Sequence, residues 1–259
     1  MASQMIVTDL DRTLLRSDKT ISGYTAQVLW RCHEKGIKIV FATARPKRTV
    51  RQFCLDVPVD ALILHNGAVV YAEGQLLASY GIDSDVKNRI LLSIGHDHPE
   101  VTLSVEIDNI FYANFDVPTA GDPTQFIKAD FSHLPDRPAD KIIVGVSGMD
   151  DISLYGQYLP DDLYIEMNDG KLGFILNRKA TKWNAIKTVA GHFGIANSEV
   201  VAFGDDYNDI GMLQNCGMGV AVANALNDAK AAADFICDQN DKDGVARWLE
   251  ENVLQDCRK

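Results

Sequence analysis

MIVTDLDRTLL, residues Met5–Leu15, is the stretch from which the fold is read. Met5, Ile6 and Val7 form a continuous apolar run, the pattern of a strand buried on both faces. The run ends at two aspartates two residues apart, Asp9 and Asp11, with Thr13 two further on. In an open parallel α/β sheet, ligands sit at the carboxyl ends of the strands, so such a pair is expected at the mouth of a site. Two carboxylates this close repel unless a cation or a proton lies between them. Mg²⁺, a hard cation, takes oxygen ligands of this kind. One aspartate of such a pair can attack a phosphoryl group while the other carries a proton. Taken alone, D-x-D-x-T is equally compatible with a solvated turn at a strand end.

Working outward, the first part of the chain alternates between strand and helix patterns. A helix is expected over Ile21–Lys35, a strand over Ile37–Ala42 and a helix from Pro46 to about Cys54. A buried strand follows over Ala61–Leu64, then a hairpin around Glu73-Gly74. Asn66-Gly67 reads either as a plain turn or as part of a pocket floor. Strands alternating with helices predict a parallel sheet. The texture changes from about residue 84. Antiparallel pairs are expected around Asp108-Asn109 and Asn168-Asp169-Gly170, and prolines at 118, 123, 135 and 138 punctuate the segment. The first texture returns with a helix over Thr181–Phe193, a strand over Val200–Phe203 and further short elements to a terminal helix at Gly244–Asn252. The expectation is an α/β protein: a Rossmann-like, doubly wound parallel sheet as core (residues 1–83 and 178–259), with an inserted, smaller α+β cap domain (residues 84–177).

The chain has 259 residues, 46% hydrophobic and 24% charged, the mix of a soluble globular protein. Its net charge of −11 argues against a nucleic-acid surface, which needs clustered Lys and Arg. Small anionic substrates are compatible with that charge, because a metal and a lysine can outweigh it locally. The five cysteines are scattered and lack C-x-x-C spacing, so they read as reduced thiols in a cytoplasmic protein. No signal peptide and no apolar run of transmembrane length is read from the sequence.

Three further pieces join Asp9 and Asp11. Thr43 ends the second strand, with the backbone amides of Ala44 and Arg45 beside a helix start, a turn that can bind phosphate oxygens. Lys182, near the start of a helix, is a candidate to neutralise phosphoryl and carboxylate charge; Lys179 is its rival. Gly204-Asp205-Asp206-Tyr207-Asn208-Asp209 follows the strand Val200–Phe203 and supplies acids for a metal. Helix capping is the plainer use of Asn208 and Asp209, and is compatible with a role in a site.

These pieces, DLDRTLL, FATARP, Lys182, GDDYNDIGM and the tail ANALNDAKAAAD…DGVARWL, in this order, resemble the haloacid dehalogenase superfamily of phosphohydrolases. The resemblance is to its Cof-like branch, with the larger mixed cap between the second and third motifs, and covers essentially the whole chain. Ala44 stands where the family commonly has Gly, and Trp183 where a small residue is usual. The resemblance implies an aspartyl-phosphate mechanism: Asp9 as nucleophile, and Asp11 as general acid–base. Mg²⁺ would be held by Asp9, Asp205 and the Asp11 carbonyl. It further implies that Thr43, Ala44, Lys182 and Asn208 hold the phosphate and that Asp209 is an outer-shell acid. Arg45 is a candidate substrate contact. The implied activity is hydrolysis of a small phosphorylated metabolite, sugar phosphates first. A phosphomutase or phosphotransferase on the same core is the alternative, separable by product analysis. A receiver-type signalling module also combines acids, Thr and Lys, but is about half this length and has no insertion.

Overall fold

The computed structural model describes residues 3–116, 125–146, 149–168 and 170–255. Pro118, Pro123, Ser147, Asp169 and Cys257 of the sequence reading lie outside them. The chain divides into two compact units, Met1–Ala78 with Thr181–Lys259, and Ser79–Ala180.

In the first unit, β1 (Met5–Thr8) is buried along its whole length. It lies between β2 (Lys38–Ala42) and β12 (Val200–Gly204), parallel to both, with Thr8 level with Phe41 and Phe203. β3 (Ala61–Leu64) extends the sheet beyond β2, and β13 (Met218–Val222) and β14 (Phe235–Cys237) beyond β12, all parallel. β4 (Val69–Ala72) pairs antiparallel with β3. β5 (Gln75–Ser79) is the edge, giving the order β14-β13-β12-β1-β2-β3-β4-β5. The chain therefore leaves β1 toward β2 on one side and returns through β12 on the other, which makes the carboxyl end of β1 a topological switch point.

Helices cover both faces, with the short helices α2 (Lys47–Val50), α6 (Ile210–Asn215) and α7 (Asn227–Ala232) in the connections. α5 (Lys182–Phe193) presents Ala185, Ile186, Val189 and Ala190 at helical spacing to Met5, Val7, Val40, Ile63 and Ala202. By the alternation of the strands, Ile6 and Phe203 point to the opposite face, where the Phe203 ring meets Trp248 of α8 (Gly244–Leu249) at 5.4 Å. α1 (Gly23–Glu34) packs on α8, and its buried stripe includes Val28, Leu29 and Cys32. Each such buried aliphatic side chain contributes about 1.5–3 kcal/mol, which fixes the strands whose ends carry the polar residues.

The second unit has a six-stranded sheet, β10 (Leu163–Asn168), β11 (Leu172–Asn177), β9 (Lys141–Gly145), β6 (Leu103–Ile107), β7 (Ile110–Ala113) and β8 (Phe126–Lys128), in that order. Its pairings are antiparallel except β7 with β8. Ile90, Leu91 and Ile94 of α3 (Ser84–Asp97) form its core with Leu103, Val105, Ile142, Val144 and Ile175, and Tyr155 of α4 (Met149–Gly156) joins them. Asp108 and Asn109 both have positive φ, as the hairpin turn between β6 and β7 requires. Together the units form an α/β core plus an α+β cap. No helix among the described residues is long and apolar enough to cross a membrane, and the four described cysteines are free thiols.

Two local features depart from the sequence reading. Ser22 and Thr181 lie outside α1 and α5 as N-caps, because each holds an extended backbone and accepts the N–H three residues on. The turn after β1 is wider than a tight strand-end turn and spans Leu10–Leu14: Leu14 N–H donates to the Asp9 carbonyl at 3.3 Å and Leu15 N–H to the Leu10 carbonyl at 2.8 Å.

Candidate active site

Asp9 leaves β1 in an extended conformation, its N–H donating to the Phe203 carbonyl of the neighbouring strand at 2.9 Å. Buried Leu10 and Leu14 anchor the wide turn that follows, and Arg12 within it takes a left-handed backbone, φ 63. The turn brings the Thr13 hydroxyl to Asp205, donating to Oδ1 at 2.8 Å. Asp205 follows β12 directly, so the β1 and β12 strand ends place Asp9 and Asp205 side by side.

Asp209 lies beneath them, fully buried. Its Oδ2 accepts the N–H groups of Asp205 at 2.9 Å and Asp206 at 3.1 Å. Gly204 makes room for it: a Cβ there would stand 2.5 Å from that of Asp209. Lys182, 1% exposed at the start of α5, closes the group, its Nζ donating to Asp9 Oδ1 at 2.7 Å and Asp209 Oδ1 at 2.6 Å. Lys179 is exposed on the preceding segment. One oxygen each of Asp9, Asp205 and Asp209 lies within 4.8 Å of the others.

Three buried carboxylates with one lysine leave excess negative charge. Burial lifts Asp9 well above the carboxylate range, against the pull of Lys182 and with the push of Asp209 and Asp205. Burial and the Asp209 charge lift Asp205 to about 6. Burial alone would lower the Lys182 ammonium; the two carboxylates reverse this and hold it above its usual value. Hard oxygen donors with uncompensated charge fit a divalent cation.

Asp11 behaves differently. Half-exposed, it accepts from Arg45 Nε and Nη2 and from Lys19 Nζ. Burial pushes it up, but Arg45 and Lys19 outweigh this and bring it down to about 2. Arg45 thus engages Asp11, and Lys19 is a participant that the sequence reading missed: an exposed lysine in a polar loop carries no signal of its own. Thr43 is buried at the end of β2, where its Oγ1 accepts the Arg45 N–H at 3.2 Å and its carbonyl the Asn66 N–H at 3.1 Å. Ala44 stands between Thr43 and Arg45 in this turn. His65, Asn66 and Gly67 all have positive φ. That backbone turns Asn66 to accept from Asn208 Nδ2 at 3.2 Å, while Asn208 Oδ1 is buried without a hydrogen-bond partner. The structure therefore gathers Asp9, Asp11, Thr43, Ala44, Arg45, Lys182, Asp205, Asn208 and Asp209 at the ends of β1, β2 and β12 and the start of α5.

Residues 6–249 match the family of haloacid dehalogenase-like hydrolases. Among curated relatives, the 5-amino-6-(5-phospho-D-ribitylamino)uracil phosphatase YitU of Bacillus subtilis is 26% identical, over 95% of this chain and 96% of its own. Phosphatase YwpJ of the same organism is 28% identical, over 95% and 99%. The solved structure of the sugar phosphatase BT4131, of subclass IIB of the superfamily, superposes with a TM-score of 0.80 at 21% identity, covering 96% of this chain and 98% of that one. The fold is shared with BT4131, and the match over nearly the whole chain places the protein in the family. The chain belongs to the haloacid dehalogenase-like hydrolases, in their Cof-like branch, and is a phosphoric monoester hydrolase.

Proposed function

We propose that the protein is a Mg²⁺-dependent phosphatase of small phosphorylated metabolites, sugar phosphates first, acting through an aspartyl-phosphate on Asp9. The observation that carries this reading is the state of Asp9. Its Oδ1 is held by buried Lys182, while no described residue hydrogen-bonds to Oδ2. That fixes the carboxylate at a strand end through one oxygen and leaves the other available as a nucleophile. Asp9 Oδ2 attacks phosphorus, the bond to the leaving oxygen breaks, and Asp11, protonated once the hold of Arg45 and Lys19 loosens, supplies the proton that oxygen takes up. In the second step water attacks the phosphorus of the aspartyl-phosphate and gives its proton to Asp11, the bond from Asp9 Oδ2 to phosphorus breaks, and inorganic phosphate leaves with the Asp9 carboxylate restored. Lys182, Thr43, the amide of Ala44 and Asn208 hold phosphoryl oxygens, and Asp209 fixes Lys182 and the Asp205 backbone. Arg45 orients Asp11 in this reading. Asp9, Asp205 and the Asp11 carbonyl would hold Mg²⁺, which supplies neutralisation of phosphoryl charge when bound.

Support for the sugar-phosphate class comes from BT4131, described as a sugar phosphatase, and from YitU, whose named substrate carries a phosphorylated ribityl chain. The cap, residues 84–177 in the sequence reading, is proposed to set selectivity among such substrates. The test is a phosphometabolite panel assayed with and without Mg²⁺, with acid-quench trapping of phosphate on Asp9. Full turnover in EDTA, or turnover with no covalent phosphate, overturns the mechanism. Transfer of phosphate to a second substrate hydroxyl would instead make it a phosphotransferase.

A further inference from the structure

Arg12 stands in the left-handed region, φ 63 and ψ 2, within the turn that carries Asp9 and Asp11. A residue with a Cβ adopts that backbone at a cost glycine avoids. The turn does not need arginine there. Its bonds use main-chain atoms: Leu15 N–H to the Leu10 carbonyl, Leu14 N–H to the Asp9 carbonyl, and the Arg12 carbonyl accepting from Asn224 Nδ2 at 2.7 Å. Glycine would keep all of them. The side chain's own contacts are thin. Nε lies 3.6 Å from Asp205 Oδ2, Nη2 donates to the Asn224 carbonyl at 3.3 Å, and 53% of the side chain is exposed. Contacts of that length and exposure add little to stability. Backbone strain that local contacts do not offset tends to occur where a ligand is handled.

The neighbouring cations are committed. Lys182 is buried between Asp9 and Asp209, and Arg45 and Lys19 grip Asp11. Among these described residues Arg12 is the loosely held one, beside Asp205. We propose that Arg12 is a substrate-binding residue that takes a second oxyanion, a carboxylate or phosphate on the leaving part of the substrate. The inference rests on the phosphatase reading and narrows its substrate class to phosphomonoesters with a second anionic group. A planar guanidinium pairs with such groups through two parallel N–H···O bonds. In a chain of net charge −11, a doubly anionic ligand needs such a cation locally.

The test compares the wild-type protein, Arg12→Gly and Arg12→Lys with Mg²⁺ on four substrates. p-Nitrophenyl phosphate and glucose 6-phosphate lack a second oxyanion. Fructose 1,6-bisphosphate carries a second phosphate, and 6-phosphogluconate a carboxylate. In Arg12→Gly, KM for at least one of the latter two is expected to rise about tenfold or more, with kcat/KM on the first two held within about twofold and Tm not lowered. Arg12→Lys should recover part of the loss. A rise confined to one of the two anionic substrates assigns the oxyanion. Equal losses on all four, no change on any, a change only in the Mg²⁺ dependence, or a wild type that turns over only the first two overturns the role of Arg12. A wild type inactive on all four, the aryl phosphate included, overturns the phosphatase reading and this proposal with it.

Discussion

Arg45 grips Asp11 through both carboxylate oxygens, Nε to Oδ2 at 2.5 Å and Nη2 to Oδ1 at 2.7 Å, and Lys19 Nζ adds a contact to Oδ1 at 2.7 Å. A carboxylate so held is ionised and fixed in direction. In the proposed mechanism it is then ready to receive a proton from water, and the hold of Arg45 and Lys19 must loosen before it protonates a leaving oxygen.

If Arg45 acts through Asp11, removing it is expected to matter only while Asp11 is present. Arg45→Ala should lower kcat on an alkyl phosphate within the roughly 10²–10⁴ span of general acid–base catalysis. Added to Asp11→Asn it should cost almost nothing further, and Arg45→Lys should restore part of the single-variant loss. Fully additive losses in this double-mutant cycle would place Arg45 on the substrate instead.

The raised carboxylates predict a pH-dependent response to metal. Asp205 is lifted to about 6 and Asp9 well above its usual range. A carboxyl raised in the folded state binds more protons folded than unfolded. Its contribution to the metal-free protein therefore falls as pH rises from about 4 through about 6. A divalent cation on the same oxygens offsets that charge and competes with the protons. Mg²⁺ is expected to raise Tm only slightly near pH 5 and several degrees near pH 8. Equal shifts at the two pH values would mean that the metal does not bind these carboxylates.

Lys182→Met leaves Asp9 and Asp209 buried without their cation. Breaking such a buried pair costs about 3–5 kcal/mol, read as a lower denaturant midpoint of the metal-free protein. Adding Asp209→Asn should return part of it, since one of the stranded charges is then gone. An unchanged midpoint would show that the three groups are not charged together.

Gly67 provides a test at a distance. Its φ is +108, and a Cβ there would lie 2.3 Å from the carbonyl oxygen of Thr181, the residue that caps α5 just before Lys182. Gly67→Ala is expected to destabilise by about 1–3 kcal/mol and to lower kcat more than it raises KM, because the shifted helix start carries Lys182. Loss of stability with unchanged kinetics would show that the Lys182 position tolerates the shift.

Asp9, Thr43 and Asp205 were legible at strand ends because each directly follows an apolar run, and such runs have few alternative readings. Between Lys182 and Lys179 the sequence left a choice; the helix register made it, turning Lys182 inward three residues past the other. The wide turn at Leu10–Leu14 was not legible, since its five-residue hydrogen bonds have no residue signature, and Arg12 at φ 63 even argues against it. Nor was the grip of Arg45 on Asp11. It joins residues 34 apart in sequence and depends on side-chain directions that hydrophobic periodicity does not encode. Asn66 became more than a turn residue only through its contact with Asn208, which three consecutive positive-φ residues create.

The final prediction separates the two aspartates. Asp9 is 6% exposed and pinned through Oδ1 by Lys182, which suits a nucleophile held in line with the leaving oxygen at about 3–3.5 Å from phosphorus. Asp11, two residues on and half-exposed in the turn, is the residue proposed to serve the leaving group. Asp9→Asn removes the proposed nucleophile and one charge of the proposed metal site, so turnover and covalent phosphate should both vanish. Asp11→Asn spares the backbone carbonyl proposed to reach the metal and removes proton transfer, a loss of roughly 10²–10⁴ on an alkyl phosphate. That loss should shrink on a nitrophenyl ester, whose leaving group needs little protonation, and aspartyl-phosphate should then accumulate if its hydrolysis becomes the slow step. Comparing both variants on the two esters, with acid quenching to trap the intermediate, decides the roles. Equal impairment of Asp11→Asn on both esters, or covalent phosphate in Asp9→Asn, would reverse or remove them.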